Sequence, residues 1–339
     1  MKTILGIDQG STNTRAALSD LSGCLLGYGE AQGACHAFSG MDFAMQCVRE
    51  AVQQALDRSG TSPEEVILVY GGLTGVDWPE EYPLLQENIR RLGYSENVHV
   101  TNDSIIAMRG GTDQPYGAIL IAGSGANCAI RAPDGRTFIY HYYHDEDLQG
   151  GQALGMRAIR AVLRSATFRE PETSLTRRVL EVYNVQSVDE LLRGLLSGLF
   201  EGQVPYNTVK ELAPIVFEEA YAGDQVAANI LRSFGEGLAE LVTAGLEHFD
   251  MTRMGVEVVL SGSIFKGVGP LLVESIAANL HRVAPKARLV NARYEPVVGA
   301  VLLGLEANGV RVDSTIKANI GTTARKFGLV RNSDEGGDA

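Results

Sequence analysis

Near the start of the chain, Ile4-Leu5-Gly6-Ile7-Asp8-Gln9-Gly10-Ser11-Thr12-Asn13-Thr14-Arg15-Ala16-Ala17-Leu18 sets a carboxylate, a glycine and a run of hydroxyl and amide side chains between two apolar stretches. Successive backbone N–H groups in such a turn can converge on a phosphate, and an acid beside them can hold its magnesium. An ordinary polar hairpin has the same composition, so this turn alone leaves both readings open. The pattern returns in Gly117-Ala118-Ile119-Leu120-Ile121-Ala122-Gly123-Ser124-Gly125-Ala126-Asn127-Cys128-Ala129-Ile130. Two equivalent turns facing each other across a cleft would clasp a polyphosphate from both sides. Ser261-Gly262-Ser263 is either a plain strand-to-helix turn or a place where a flat ring approaches the backbone, with Gly299-Ala300 packing nearby.

These residues need elements to carry them. Apolar runs on either side of Gly10 and of Gly123 read as strand, turn, strand, and Asp20-Leu21-Ser22-Gly23 and Pro133-Asp134-Gly135 fall at matching places after each, so a three-stranded meander is duplicated. Apolar residues at helical spacing predict a helix over 41–58, stopped by Ser59-Gly60. A strand over 66–70 leads into the loop Gly71-Gly72-Leu73-Thr74-Gly75, and a strand over 98–100 into Thr101-Asn102-Asp103-Ser104, with a helix expected from Ile105. Binding crevices of open α/β sheets lie at such strand ends. Residues 157–250 read as mainly helical, followed by a strand over 255–260, a helix over 271–281, a strand over 288–290 and a helix over 296–306. The expected organisation is an α/β domain over residues 1–115, a second over 116–331 with a helical insertion, and a disordered acidic tail over 332–339.

Composition narrows the chemistry. At 339 residues, 45% of them apolar, the chain is long enough for two cores. With 29 basic against 41 acidic residues the net charge is −12, which repels nucleic acid, and no basic run is interleaved with aromatics. No basic region followed by a long apolar core opens the chain, and no apolar run reaches the roughly 20 residues that span a bilayer, so no membrane partner and a cytoplasmic location are expected. Cys24, Cys35, Cys47 and Cys128 have no C-x-x-C spacing, which argues against a zinc site or a disulfide framework.

Gly6-Ile7-Asp8-Gln9-Gly10-Ser11-Thr12-Asn13-Thr14, Asn102-Asp103, Ile121-Ala122-Gly123-Ser124-Gly125-Ala126-Asn127, Leu260-Ser261-Gly262-Ser263 and Pro296-Val297-Val298-Gly299-Ala300 resemble, in order and spacing, the BadF/BadG/BcrA/BcrD ATPase family, and its N-acetylglucosamine kinases in particular. The resemblance implies two ribonuclease-H-like domains of the actin-like, hexokinase type around a nucleotide cleft. It implies an ATP-dependent kinase acting on a hydroxyl of a sugar-like small molecule, with ATP and Mg2+ as cofactors and a homodimer by analogy. Asp8 would stand near magnesium. Gly10, Ser11, Thr12 and Asn13 would form one phosphate loop and Gly123, Ser124 and Gly125 the other, with Ser261, Gly262, Ser263 and Gly299 flanking adenosine. Asp103, which the residues alone read as a helix N-cap, becomes the base that accepts the acceptor's hydroxyl proton.

The resemblance weakens on the sugar side. Cys35 stands where related kinases carry a sugar-holding Asn, and a thiol does not replace an amide. The family's Gly-Asp-Glu-Gly-Ser segment corresponds to the stretch His141-Tyr142-Tyr143-His144-Asp145-Glu146-Asp147-Leu148-Gln149-Gly150-Gly151-Gln152, with Gly or Gln in place of the sugar-binding Asp. Thr74, Asp77, Asn102, Asp103, Gly125 and Asp145 are the expected substrate contacts. Two other activities stay open: an ATPase that activates a partner redox enzyme, against which the cysteine pattern speaks, and an ATP-binding sensor without catalysis.

Overall fold

The computed structural model describes residues 1–143, 145–197 and 206–331. Its first sheet is built from β1 (Thr3–Gln9), β2 (Asn13–Asp20) and β3 (Leu25–Gln32), an antiparallel meander. A short helix α1 (His36–Ser39) leads into α2 (Met41–Ser59), whose buried Ala44, Val48, Ala51, Val52 and Ala55 lie against the sheet and whose end is set by left-handed Gly60. β4 (Val66–Leu73) then pairs in parallel with β1, and after α3 (Glu81–Arg90) β5 (Val98–Asn102) pairs in parallel with β4. The strand order is β3-β2-β1-β4-β5. The helix α4 (Asp103–Gly111) follows and carries the chain to the second sheet.

There the plan repeats. β6 (Gly117–Ala122), β7 (Ala126–Arg131) and β8 (Thr137–Ile139) form the second meander. The helices α5 (Gly150–Ser165), α6 (Leu175–Tyr183), α7 (Val188–Ser197), α8 (Tyr206–Tyr221) and α9 (Gln225–His248) come before β9 (Glu257–Ser261), which pairs in parallel with β6. After α10 (Leu271–Val283), β10 (Arg288–Asn291) pairs in parallel with β9, and α11 (Pro296–Ala307) and α12 (Ser314–Lys326) follow. The order β8-β7-β6-β9-β10 reproduces the first sheet strand for strand, so the duplicated meander is part of a duplicated five-stranded unit.

Between the two sheets lies a shared core. Ile4 and Tyr70 from the first, Ile119 and Val259 from the second, and Ile106, Val297 and Val301 from α4 and α11 are buried together, with Ile320 of α12 at its edge. Apolar burial of this kind, at roughly 25 cal/mol per Å² removed from water, is what holds the two units to one another. The chain therefore returns at α11 and α12 to pack beside the strands with which it began.

Several expectations shift. Gly71, Gly72 and Leu73 belong to β4 rather than to a loop, since each pairs with β1, and the turn begins at Thr74. α4 starts at Asp103 and α5 at Gly150, earlier than periodicity indicates, and α12 has no counterpart in the sequence reading. Among the described residues no helix is long and apolar enough to cross a membrane. The four cysteines are free, and Cys35, Cys47 and Cys128 are buried. The expected disordered tail, 332–339, lies outside the described residues.

Candidate functional site

Asp8, next to last in β1, lies opposite Arg15 of β2 and is 8% exposed. Burial, reinforced by the charge of Asp103 and opposed by Arg15, raises its carboxyl from 3.8 to about 7. The turn beyond it closes through Gly10 N–H donating to Asn13 O at 2.9 Å. The chain leaving β3 crosses this turn and pins it, with Gly33 N–H on Thr12 O (3.0 Å) and Ala34 N–H on Gly10 O (3.1 Å), while Ser11 and Thr12 stay exposed.

The second turn is closed in the same way, Gly123 N–H donating to Gly125 O at 2.8 Å. It is held by the start of α5, where Gly151 N–H donates to Gly123 O at 2.8 Å. Gly150, at φ +51°, lies so close that a Cβ there would fall 2.4 Å from both Gly123 O and Gly125 O. The segment expected to face a sugar thus begins by strapping the second turn. Ser124 lies beside a cavity of about 510 Å³ lined also by Lys210, Phe217, Ser263 and Lys266, a size that fits a nucleotide. Lys210 and Phe217 are on α8, whose apolar stripe reads as core, and their place at the cavity became visible only in three dimensions.

The structure brings Asn102, Asp103, Thr74 and Asp77 together at the carboxyl ends of β4 and β5. Asn102, not Asp103, caps α4: its Oδ1 accepts from Ser104 N at 3.0 Å and from Ser104 Oγ at 2.5 Å. Asp103 itself stands at the first helical position. Its surroundings raise its carboxyl from 3.8 to about 6, burial being the main cause, opposed by a hydrogen bond from the Ser104 backbone, aided by the charge of Asp77 and opposed further by His141 and a hydrogen bond from Thr74. Asp77 accepts from Asn102 Nδ2 at 3.1 Å and faces His141 Nε2 at 2.5 Å. Cys35 is buried, its thiol 3.9 Å from Thr74 O.

Other expected residues fall elsewhere. Asp145 precedes a 3-10 turn, Glu146–Leu148, that buries only Leu148, and is itself exposed. Asp147 is drawn outward to Arg160 Nη1 at 3.0 Å. Gly299 is buried in the crossing of α11 with α4, where a Cβ would lie 1.9 Å from Ile106 O, so its smallness is a packing requirement there. Ser261 ends β9, and its hydroxyl lies 3.4 Å from Arg331 Nη1. Sequence reasoning missed the cluster beside it. Glu295 accepts from Arg15 Nη1 at 2.6 Å and from Arg331 Nε at 2.9 Å, joining β2 to a residue 316 positions away through an acid between them.

Comparisons with known proteins show what the whole chain is similar to. The family model described as "BadF/BadG/BcrA/BcrD ATPase family" matches residues 5–304. A curated N-acetylmuramic acid/N-acetylglucosamine kinase of Clostridium acetobutylicum is 26% identical over 89% of this chain and 98% of its own length. The glucosamine kinase GspK of Vibrio cholerae is 25% identical over 78% of this chain and 85% of its own. Among solved structures, a ROK family glucokinase from Streptomyces griseus in complex with glucose and AMPPNP superposes with a TM-score of 0.51 at 20% identity, over 89% of this chain and 98% of that one, a likeness of fold.

Proposed function

The chain belongs to the BadF/BadG/BcrA/BcrD ATPase family, and from that premise we propose that it transfers the γ-phosphoryl group of ATP to a hydroxyl of an amino sugar. The observation that carries the reading is Asp103: a carboxyl with an ordinary neighbour, Asn102, taking over the capping duty, raised to about 6 and within electrostatic reach of Asp8 beside the first turn. A base of that strength is ionised at neutral pH and still accepts a proton from an attacking hydroxyl.

Phosphoryl transfer asks the protein mainly for positioning and charge neutralisation. The turns at Gly10–Asn13 and at Gly123–Gly125 supply backbone donors from the two sheets, and the cavity lined by Lys210, Phe217, Ser263 and Lys266 receives the nucleoside side of ATP. Thr74, Asp77 and Asn102 border the acceptor. The donor set fits magnesium. Asp8 is a carboxylate raised by burial and by the charge of Asp103, and among the described residues no cage of three or more His, Cys, Asp or Glu side chains converges on a point. Magnesium characteristically binds through one or two carboxylates plus substrate phosphates, and when bound it neutralises charge on the phosphates. Residues 1–115 form the unit that carries the base and residues 116–331 the unit that carries the second turn, with α11 and α12 packed back against the first.

The amino-sugar acceptor is supported by the relatives, whose names include N-acetylmuramic acid, N-acetylglucosamine and glucosamine. A coupled ADP-release screen over those three sugars, glucose and a polyol tests it: ADP release dependent on an amino sugar is expected, and turnover of none of them contradicts it.

A further inference from the structure

His141 is where the second sheet's side of the cleft reaches the base on the first, and the reaction as described leaves it without a role. Its backbone N–H donates to Asn127 Oδ1 at 2.9 Å, the same oxygen that accepts from Cys128 N at 2.8 Å. His141 is thereby anchored to β7, the strand that leaves the second phosphate turn. Its φ of +41° lies in the left-handed region, where a non-glycine residue is held only by its surroundings and which is enriched at functional sites. From that position the ring crosses to Asp77, Nε2 lying 2.5 Å from Oδ2 in a close polar contact without the alignment of a hydrogen bond. The other oxygen of Asp77 holds Asn102 Nδ2 at 3.1 Å, and Asn102 caps the helix whose first residue is Asp103. Beside this path Trp78 stacks on Tyr142, ring centroids 6.0 Å apart and planes 14° from parallel.

The path is continuous: second turn, Asn127, His141, Asp77, Asn102, Asp103. Resting on the kinase reading above, we propose that His141 is a positioning residue that links the nucleotide-holding turn of one unit to the base of the other. With the second turn in place, His141 fixes the Asp77 carboxylate, Asp77 fixes the Asn102 amide, and the amide sets the start of α4 on which Asp103 stands. Were the two units to move apart, Asp77 would lose His141, and Asn102 Nδ2, which also donates to Val76 O at 3.1 Å, would keep that backbone partner and a less constrained Asp77 carboxylate. Proton acceptance by Asp103 is thus coupled to closure over ATP. A side chain at position 141 that merely filled space would change stability and not this coupling.

The test is a double-mutant cycle on the full chain with ATP and N-acetylglucosamine or glucosamine, comparing wild type, His141→Phe, Asp77→Asn and the double variant, with Asp103→Asn alongside. Phenylalanine keeps the ring volume without the nitrogen. Each single variant is expected to lose about tenfold in kcat with the KM for ATP within about twofold of wild type, and the double variant to be no slower than the slower single, the signature of coupled residues. His141→Gln, which keeps a donor, is expected to recover most of the rate and serves as the second arm should the phenylalanine variant not fold. Losses that multiply in the double variant, or a raised KM for ATP at unchanged kcat, overturn the proposal. A wild-type rate in Asp103→Asn, or no turnover of either sugar, defeats the kinase reading and the linkage with it, whereas collapse of Asp103→Asn with multiplying losses in the cycle defeats the linkage alone.

Discussion

Burial raises the carboxyls of both Asp103 and Asp8, with different consequences. For Asp103 the folded surroundings place the carboxyl near 6, so kcat/KM for the acceptor is expected to rise as pH increases through about 6 and to level off above it; a pH–rate profile flat from 5 to 8 would exclude this group as the base. Asp8 binds its proton more tightly folded, at about 7, than in the ordinary carboxylate range near 3.8. A group raised in this way lowers stability as pH rises from about 4 to about 7, because the unfolded chain gives up the proton first. Without magnesium, Asp8→Asn is therefore expected to melt higher than wild type at pH 8 and alike at pH 4, while losing turnover by about a hundredfold or more; thermal melts at both pH values and a rate assay check it. The two turns were legible in the sequence because glycine and small polar residues stand between apolar strands at matching places in both halves. The Glu295 cluster was not, since Arg15 and Arg331 meet it only after the chain has closed on itself.

At the scale of elements, the crossing of α4 and α11 fixes where the base stands. Gly299 lets the two helices approach, and Arg109 of α4, 1% exposed, pairs with Glu306 of α11 at 2.7 Å and donates to Thr112 O at 2.7 Å. Removing one partner of such a pair leaves a buried charge uncompensated, so Glu306→Ala is expected to cost about 3–5 kcal/mol. Urea unfolding followed by circular dichroism measures it, and a loss under about 1 kcal/mol would mean that water replaces the carboxylate. Strand and helix periodicities gave the meanders and most helices of this region. Boundaries failed where tertiary pairing prevailed over composition: Gly71 to Leu73 read as a loop because glycine is a poor strand former, yet their backbones complete β4. α5 begins at Gly150 because the second turn captures the N–H of Gly151 on Gly123 O, a contact from 28 residues upstream that no local pattern announces.

Over the whole molecule, two sheets of one topology share a core, and each carries a turn after its first strand, which the proposed function sets on either side of one cleft. Duplication was visible in the sequence because the turn chemistry recurs; the return of α11 and α12 to the first sheet was not, because their apolar faces do not say which partner they meet. The division of labour across the cleft, nucleotide on both turns and acceptor beside Asp103, is the central claim. Its most direct measurement is ADP release by wild type and Asp103→Asn with ATP, Mg2+ and an amino sugar, together with the ATP affinity of both proteins. The account predicts a rate reduced by about 10²–10⁴-fold in the variant with ATP affinity retained; an unchanged rate, or a rate lost only because ATP no longer binds, would contradict it.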